Sequence, residues 1–474
     1  MRVVCPVWRS AAGIPCQVLP KAKVKWPLAI YDTPLTTVTV WEQTVNSFLR
    51  KWLGAGHSLS RLCLFNKETS VCLPLDSLLD VWKVEKCRLQ QALLASEDEV
   101  VVAVHPLIRS GRKWKVEEEL AEAESDVRCE SVRGMIPPHP RAGIGFGDWG
   151  RPWEKLGEKE KRAAVVDRVK KKLNQEKTVG CLDLEVQGLW LAWREEVVPM
   201  DFRWKSMFEM GERMVGFILR AVYGTLVVPS LAMKWKEGED GLCKLCGDAP
   251  GSIRHILSGC KVALGQGRYR WRHDKVLRQI SDQVVFHCNQ RANNPSRNTK
   301  KRKGIEFVKE GERKKEVPSN QGKHELGLLS GVRDWVVLSD IGSQLQFPVE
   351  IARTRLRPDL VIFSRESRTV IWWELTCPAE ERIADAHKLK MEKYSGLEEE
   401  CEANGWKCHS MAIEVGARGQ VSDSLSRAAS RLGFRGRSLK KLVKDSGREA
   451  AHCSMWLYLL AGKKDWEYRK VEGR

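Results

Sequence analysis

The chain lacks the features that mark membrane, secreted and repeat proteins. No apolar run reaches 18 uninterrupted residues, and the best candidate, 215–229, contains Arg220 and ends at Pro229, so we expect no membrane span. The first residues, MRVVCPVWRS, contain no apolar signal core, and we find no internal repeat. The 15 cysteines show no regular disulfide framework. We therefore expect reduced thiols or metal ligands, in the cytosol or the nucleus.

Positive charge is the strongest feature of the composition. The 474 residues carry 80 Lys and Arg against 61 Asp and Glu, a formal charge of +19. This excess favours a polyanion such as nucleic acid, because binding releases the counterions of the phosphates. A solvated basic surface or an acidic partner protein is the alternative. Hydrophobic residues make up 42% of the chain, which is enough to build the cores of about three domains.

Changes in sequence pattern along the chain predict a multidomain α+β protein. Residues 38–54 have a helical apolar spacing typical of helix packing, with Val40, Val45, Phe48, Leu49 and Leu53. Residues 135–150 are rich in Gly and Pro, and 324–434 alternate strand-like and helix-like segments. We divide the chain into a helical region 1–135, a helical linker region 136–236, a zinc-knuckle and basic segment 237–290, a basic flexible linker 291–323, an α/β domain 324–437 and a C-terminal tail 438–474.

The linker 291–323 contains the basic cluster KKRK at 300–303 and few apolar residues. Such a segment is typical of a flexible, solvated tether. A phosphate-contacting arm and a nuclear localisation signal are the functional alternatives.

The stretch CKLCGDAPGSIRHILSGC, residues 243–260, has the spacing C-x2-C-x8-H-x4-C. It predicts a tetrahedral zinc site formed by Cys243, Cys246, His255 and Cys260. Four protein ligands leave no open position for water, so we expect a structural rather than a catalytic ion. The alternative is that these are four unconnected residues of a cysteine-rich chain.

A basic and aromatic segment, GQGRYRWRHDKVLRQI at 265–280, follows immediately. Arg268, Arg270 and Arg272 interleave with Tyr269 and Trp271. Aromatic rings can stack on bases while cations hold phosphates, so this segment predicts a nucleic-acid surface beside the zinc knuckle. A packing role for Trp271 is equally consistent with the pattern.

The stretch RPDLVIFSRESRTVIWWELT, residues 357–376, predicts a β-hairpin with an acid at each end. If the turn centres between Glu366 and Ser367, Asp359 lies opposite Glu374, and directly paired residues point to the same face. Two neighbouring carboxylates repel each other and lose solvation when buried. A divalent cation removes that cost, and oxygen ligands of this kind suit Mg²⁺.

The following segment, 380–406, adds lysines to this site. One helical face is predicted to carry Ile383, His387, Lys390, Tyr394, Leu397 and Cys401. Lys390 lies in this face and Lys393 at its margin, about 60° away. A lysine near an acidic metal site can position or deprotonate an attacking water, which favours a nuclease. The alternative is a structural salt bridge between Lys390 and Glu374.

These motifs resemble a known family. RPD-x14-ELT, AHKLKMEKY and IEVGARG (413–419) resemble the restriction-like endonuclease of site-specific non-LTR retrotransposons, a branch of the PD-(D/E)xK nucleases. The zinc knuckle with GRYRWRHDKVL resembles the segment that precedes that endonuclease. Residues 50–65 and 74–89 are similar to the thumb-side region that follows the reverse transcriptase palm, so residues 1–135 are interpreted as thumb-like.

The resemblance implies roles for individual residues. Asp359 and Glu374 would bind Mg²⁺, and Lys390, with Lys393 in the same motif, would supply the lysine from the helix. The simplest family pattern places this lysine two residues after the second acid, where Thr376 stands. We further expect Arg357 to contact a phosphate.

The resemblance implies a nuclear, Mg²⁺-dependent endonuclease that nicks DNA and exposes a 3′ end for reverse transcription. We find no YxDD-like pair of aspartates, so a polymerase would act in trans, and the element's RNA is a second expected nucleic-acid partner. The alternatives are a zinc-knuckle nucleic-acid-binding protein whose nuclease domain is inactive, and a translated remnant without function. Glu414 lies in the third strand-like run, and its role is left open.

Overall fold

The computed structural model of the protein is a mixed α and β structure with two compact units. Unit 1 comprises Met1–Leu189 and Asp201–Thr225, and unit 2 comprises Trp190–Met200 and Leu226–Arg474. The structure describes residues 18–104, 114–133, 153–234, 240–293, 327–329, 332–342 and 344–466. The predicted loop 135–150 and, from residue 294 onward, the predicted linker with its KKRK cluster lie outside the described residues. Within these ranges, no helix has both the length and the apolarity needed to cross a membrane.

Unit 1 is built mainly from helices. Its elements are α1 (Val18–Ile30), α2 (Leu35–Trp52), α3 (Arg61–Phe65), β1 (Val71–Cys72), α4 (Leu78–Leu94), α5 (Glu99–Val104), α6 (Val116–Arg133), α7 (Glu158–Leu182), α8 (Trp204–Met210) and α9 (Glu212–Val222). Between α7 and α8 in the sequence lie a 3₁₀ helix (Leu189–Glu196), β2 (Val197–Val198) and β3 (Met200–Asp201), and residues Trp190–Met200 of this stretch belong to unit 2. The helical character predicted for this region is therefore confirmed.

The buried face of α2 differs from the apolar stripe predicted there. Val40 is 58% exposed and Phe48 is 50% exposed, whereas Glu42 is only 2% exposed. The carboxylate of Glu42 accepts hydrogen bonds from the Ser77 hydroxyl and the Leu79 backbone N–H. These groups form the first turn of α4, where unpaired N–H groups and the helix dipole favour an anion. A polar contact therefore orients α2, which overrides the apolar pattern.

Unit 2 contains the main sheet and the zinc-knuckle segment. Its remaining elements are α10 (Pro229–Ala232), α11 (Lys261–Gly265), α12 (Arg268–Asn293), β4 (Val336–Ser339), β5 (Leu360–Ser364), β6 (Thr369–Thr376), α13 (Ile383–Ala403), β7 (Lys407–Glu414), β8 (Val421–Ser422), α14 (Asp423–Leu432) and α15 (Gly436–Leu459). The four longer strands are ordered β4-β5-β6-β7, and β2 pairs separately with β8.

The β5–β6 hairpin has the predicted register. Leu360 pairs with Trp373 and Ser364 pairs with Thr369 in an antiparallel ladder, so the turn centres between Glu366 and Ser367 as the sequence predicts. β4 is also antiparallel to β5. β7 runs parallel to β6, and α13 makes the crossover that a parallel pair requires.

Both faces of this sheet are buried. Trp372 and Trp373 are consecutive on β6, and each is fully buried, one on each face. α12, α14 and α15 cover the face of Trp373, while α13 and the segment around Phe347 cover the face of Trp372. Burial on two sides explains why β5 and β6 read as continuous apolar runs rather than alternating ones.

The domain boundaries inside unit 2 differ from those predicted. Ile280 of α12 and Leu442 of α15 are fully buried in the same core as the sheet strands. Along α15, a Cβ at Gly447 would lie 2.5 Å from the carbonyl oxygen of Gly419, so glycine permits the helix to approach this loop. Where the structure describes them, the predicted knuckle segment 237–290 and tail 438–474 are thus not separate from the α/β domain, because α12 and α15 complete the core of the sheet.

Leu442→Ala should lower the free energy of unfolding of unit 2 by about 2–5 kcal/mol, because it leaves a cavity in this core. Urea unfolding followed by tryptophan fluorescence measures the change. Lys441→Ala is the matched control, since Lys441 is exposed on the neighbouring position of α15. Equal unfolding midpoints for the two variants would contradict the placement of α15 in the core.

Candidate functional site

Cys243, Cys246, His255 and Cys260 come together as predicted. One potential ligand atom from each residue lies within 4.8 Å of all the others, and Cys246 Sγ lies 3.4 Å from His255 Nε2. Gly247, with φ of +72°, turns the chain tightly after the first pair, and its N–H bonds the Cys243 carbonyl at 2.8 Å. The sequence prediction that these four residues form a cluster is confirmed.

The protonation tendencies of His255 and Cys246 suit a metal, whereas burial raises the pKa of the Cys260 thiol. Burial lowers the pKa of His255, which favours the neutral ring that binds metals. Burial opposes ionisation of Cys246, but backbone N–H groups of Asp248 and Ala249 lower the pKa of its thiol. Three sulfurs and one imidazole nitrogen fit Zn²⁺ with a closed tetrahedral shell. The cluster can hold a zinc ion, and four protein ligands give such an ion a structural role.

Tyr269 supports the cluster from α12. Its hydroxyl accepts a hydrogen bond from the Cys260 N–H at 3.0 Å and lies 3.0 Å from the Ile256 carbonyl oxygen. Burial raises the pKa of Tyr269 to about 12, so it remains a neutral hydrogen-bond donor. The ring predicted to stack on a base is instead half-buried against the segment that carries His255 and Cys260.

Arg268 and Arg272 lie inside unit 2 and not on its surface. They are 2% and 1% exposed. Arg268 donates to the carbonyl oxygens of Leu460 and Lys463 at 2.9 and 2.6 Å, at the end of α15. Arg272 donates to the Leu257 carbonyl oxygen at 2.8 Å. This placement corrects the prediction that both guanidinium groups bind phosphate, because buried groups bonded to carbonyls have no surface to offer.

Arg270 and Trp271 have different surroundings. The Arg270 side chain is 69% exposed, with Nε 3.8 Å from an oxygen of Asp274. Trp271 is half-buried and makes an edge contact with Trp466 at a centroid distance of 5.4 Å. Within the described residues, Arg270 is thus the member of this predicted set that faces solvent, and Trp271 has the packing role given as its alternative.

Asp359 and Glu374 lie side by side at one end of the sheet. The Asp359 N–H donates to Glu374 Oε2 at 3.3 Å, and Asp359 Oδ2 accepts from the Leu375 N–H at 2.7 Å. They are 9% and 4% exposed. β5 begins at Leu360, so Asp359 lies one residue before the strand. Because Leu360 pairs with Trp373, the next position of the same register places Asp359 opposite Glu374, as the sequence predicts.

α13 supplies cations and a hydroxyl to Glu374. Lys390 Nζ lies 2.5 Å and Lys393 Nζ 3.4 Å from Glu374 Oε1. The Tyr394 hydroxyl donates to Oε2 at 2.8 Å. Burial, together with the charge of Glu374, raises the pKa of Tyr394, so the phenol stays protonated as a donor. Both predicted lysines therefore reach the second acid, and Lys390 is the closer one.

Asp340 is an acid of this site that sequence reasoning missed. Its backbone N–H donates to the Asp359 carbonyl oxygen at 2.9 Å, and its carboxylate lies 3.9 Å from Arg357. Asp340 directly follows β4, Asp359 directly precedes β5, and Glu374 lies near the end of β6. The signal was the same pattern of an apolar strand next to a carboxylate. Arg357, predicted to contact phosphate, has a side chain 38% exposed beside this acid.

His273 of α12 was also missed. Its Nε2 lies 3.3 Å from Asp359 Oδ2, and its Nδ1 lies 3.1 Å from Asp274 Oδ1. Burial opposes the positive charge, but hydrogen bonds to Asp274 and Asp359 raise the pKa of His273 well above its ordinary value. No local pattern could reveal this contact, because 86 residues separate His273 from Asp359.

Glu414, left without a role by the sequence, lies at the end of β7, the strand beside the one that carries Glu374. It is fully buried. Its Oε1 lies 3.0 Å from His387 Nδ1, and its Oε2 accepts a hydrogen bond from the Ser424 hydroxyl at 2.6 Å. Glu414 pairs with Thr376 in the parallel register, so its side chain shares the sheet face of Glu374, two residues earlier on β6.

The two acids meet some of the requirements of a divalent cation. Glu374 has hydrogen-bond donors on both oxygens, from Lys390 and Tyr394. Asp359 Oδ1 has no hydrogen-bond partner among the described residues, and its side chain is 13% exposed. Two carboxylates are oxygen donors of the type that Mg²⁺ takes, and Asp359 Oδ1 is the oxygen of the pair left without a partner among the described residues, since both oxygens of the buried Glu374 are hydrogen-bonded. Lys390 and Lys393 balance the negative charge of Glu374, and a bound cation would share this role.

Two comparisons with known proteins gave no match. No protein-family model matches it, and no curated protein matches it. The site is therefore interpreted from its own geometry.

Cys243→Ser should abolish zinc binding, because the remaining three ligands cannot close the tetrahedral shell. Metal analysis of purified protein should give about one zinc per wild-type chain and none for the variant. Cys129→Ser is the control, since Cys129 is an exposed cysteine of unit 1. Zinc retained by the Cys243 variant, or absent from the wild type, would exclude the site.

His273→Gln and His409→Gln should show opposite pH dependences of stability. The folded pKa of His273 is raised, so its stabilisation is complete below the unfolded pKa of about 6.5 and is lost at higher pH. Burial, followed by the charges of Arg431 and Lys407, lowers the pKa of His409 to about 4. Its contribution is present above about pH 6.5 and is lost as pH falls toward 4.

Denaturant unfolding in magnesium-free buffer at several pH values measures both effects. The deficit of His273→Gln should shrink as pH rises, and the deficit of His409→Gln should shrink as pH falls. Parallel pH profiles for the two variants would contradict the assigned environments.

Proposed function

We propose that this protein is a metal-dependent DNA endonuclease that nicks one strand, derived from the C-terminal part of a non-LTR retrotransposon polyprotein. The observation that carries the proposal is the Asp359–Glu374 pair with Lys390 Nζ 2.5 Å from Glu374. Buried paired acids with a lysine at one edge of a sheet are an arrangement suited to phosphodiester hydrolysis. The motif resemblance carries the family part of the proposal.

In this proposal, Asp359 and Glu374 hold Mg²⁺, which would polarise the phosphate and stabilise the charge that develops on it. Lys390 orients or activates the attacking water, since its ammonium group is fixed on Glu374. Tyr394 holds the other oxygen of Glu374, so the carboxylate keeps one orientation. Lys393 lies farther from Glu374, at 3.4 Å, and serves as a secondary cation.

The charge of the chain supports DNA as the substrate. Besides the net charge of +19, α15 presents a stripe formed by Arg437, Lys440, Lys441 and Lys444, all of which are exposed. These positions fall within about 100° of one another around the helix axis. Such a stripe suits a phosphate backbone. It replaces the surface predicted for Arg268 and Arg272.

The resemblance extends the proposal to partners and location. The nick would expose a 3′ end for reverse transcription by a polymerase acting in trans, with the element's RNA as the template. A protein with that role would act in the nucleus, which is the location we infer. The Cys3His cluster would hold zinc and stabilise the segment that precedes α12.

A second candidate is a nucleic-acid-binding protein whose nuclease domain does not cut. The specific observation in its favour is that Lys390 and Tyr394 already satisfy both oxygens of Glu374. A structural salt bridge of this kind needs no metal. This candidate predicts salt-dependent binding of DNA or RNA that requires Cys243 and Cys260, without nicking.

Purified wild-type protein should nick supercoiled plasmid when Mg²⁺ is added, and Asp359→Ala or Glu374→Ala should abolish nicking. Lys390→Ala should slow it by about 10²–10⁴-fold, the usual effect of losing a group that activates water. Gel conversion of supercoiled to open-circular DNA measures all three variants.

Lys388→Ala and Glu399→Gln are the controls, because both residues are exposed on α13. They should nick as the wild type does. Equal nicking by the two acid variants and the wild type would contradict the assignment of Asp359 and Glu374 as metal ligands. Plasmid binding without nicking by the wild type would instead favour the second candidate.

A further inference from the structure

A second buried acid holds a histidine at the edge of the proposed nuclease site. Glu414 is fully buried at the end of β7, and its carboxylate has two donors from different elements. His387 Nδ1 of α13 lies 3.0 Å from Oε1. The Ser424 hydroxyl, at the start of α14, donates to Oε2 at 2.6 Å and accepts from the Glu414 N–H at 3.2 Å.

This network fixes the tautomer and the direction of the imidazole. A carboxylate only accepts hydrogen bonds, so Nδ1 of His387 carries the hydrogen that lies between the two groups. The reactive edge of the ring is then Nε2. That atom has no hydrogen-bond partner within the described part of the chain, and the His387 side chain is 41% exposed. A buried acid behind a partly exposed imidazole is the arrangement that orients a histidine for proton transfer.

The pair lies over the same face of the sheet as Glu374, one of the proposed metal-binding acids. His387 precedes Lys390 by three residues on α13, and residues at this spacing have their Cβ atoms about 5–6 Å apart. Glu414 and Glu374 share one face of the sheet on neighbouring parallel strands, which are about 4.8 Å apart. The edges where parallel strands end coincide. His387, held on Glu414, and Lys390, held on Glu374, therefore lie over the same face of the sheet, near the ends of β6 and β7.

We propose that His387 is a further catalytic residue, the general acid that protonates the leaving oxygen, and that Glu414 is its positioning residue. The inference rests on the proposed nuclease function and assigns a group that the two acids and the lysines do not provide. Lys390, on Glu374, serves the attacking water. His387, one turn earlier, serves the oxygen that leaves.

The step balances with water as the only co-reactant. The water oxygen forms a new bond to phosphorus and passes one proton to a second water. The bond from phosphorus to the 3′ oxygen breaks, and the Nε2–H of the imidazolium protonates that oxygen. The products are a 5′ phosphate and a 3′ hydroxyl, and solvent returns a proton to the imidazole. No electron transfer takes place.

The test uses two oligonucleotide duplexes that differ in one atom, the 3′ oxygen or a 3′-bridging sulfur at the cleavage site. A thiolate is a far better leaving group than an alkoxide, since thiols ionise near pH 8.5, and it leaves without a general acid. Cleavage of the oxygen duplex by His387→Ala should fall by about 10²–10⁴-fold. Cleavage of the sulfur duplex should stay within about tenfold of wild type. Glu414→Gln should show the same pattern with a smaller loss.

His452→Ala is the matched control, because His452 is exposed on α15 and lies outside this network. Zinc content, the unfolding midpoint and duplex affinity should be unchanged in His387→Ala, which separates catalysis from folding and binding. Glu414→Gln keeps the volume of the buried side chain, so it tests positioning without opening a cavity.

Each outcome decides the matter. Loss on the oxygen duplex with rescue on the sulfur duplex supports the general acid. Wild-type rates for His387→Ala on both duplexes, or an equal loss on both, overturn this inference while the proposed nuclease stands. A wild-type protein that cleaves neither duplex overturns the proposed function, and the assignment of His387 falls with it.

Discussion

A four-residue turn fixes the pairing of β5 with β6, and that pairing decides which side chains share the end of the sheet. Because Ser364 pairs with Thr369, Asp359 must meet Glu374 at the other end of the hairpin. A shift of one residue would turn one acid to the opposite face. Both faces carry buried tryptophans, so such a shift is strongly disfavoured. The core of the sheet thereby holds the acids in place.

The core also joins the Cys3His cluster to the acids. α12 follows the cluster directly, packs against the sheet and carries His273 to Asp359. Arg272 of the same helix donates to the carbonyl oxygen of Leu257, in the segment that carries the cluster. It also donates to the carbonyl oxygen of Cys377, the residue directly after β6. A zinc ion in the cluster would therefore stabilise the start of the helix that contacts the first acid. The Cys3His cluster and Asp359 therefore both have contacts with α12, through Tyr269 and His273 respectively.

Local patterns predicted those parts of the molecule in which the interaction is close in sequence. The hairpin register, the helix that carries Lys390 and the Cys243–Cys260 cluster each depend on residues within about one or two elements, so spacing alone contains the information. The basic segment at 268–272 failed for the opposite reason. Its pattern of alternating arginines and aromatics is the same whether the guanidinium groups face solvent or the carbonyls at the end of a distant helix.

Burial is the quantity that the sequence left undetermined. The residues near Glu414 show a strand, but only the crossover through α13 brings His387 to that acid. Likewise, most of the apolar stripe predicted on α2 is exposed, because the buried face of the helix includes Glu42 and its contact with the Leu79 N–H. The sequence by itself determined the β5–β6 hairpin, the helix that carries Lys390, the facing acids and the metal-ligand spacing, since these follow from local periodicity and turn geometry. The tertiary structure alone decided which charged groups are buried, because their partners come from distant segments and desolvation is set by everything that packs around them.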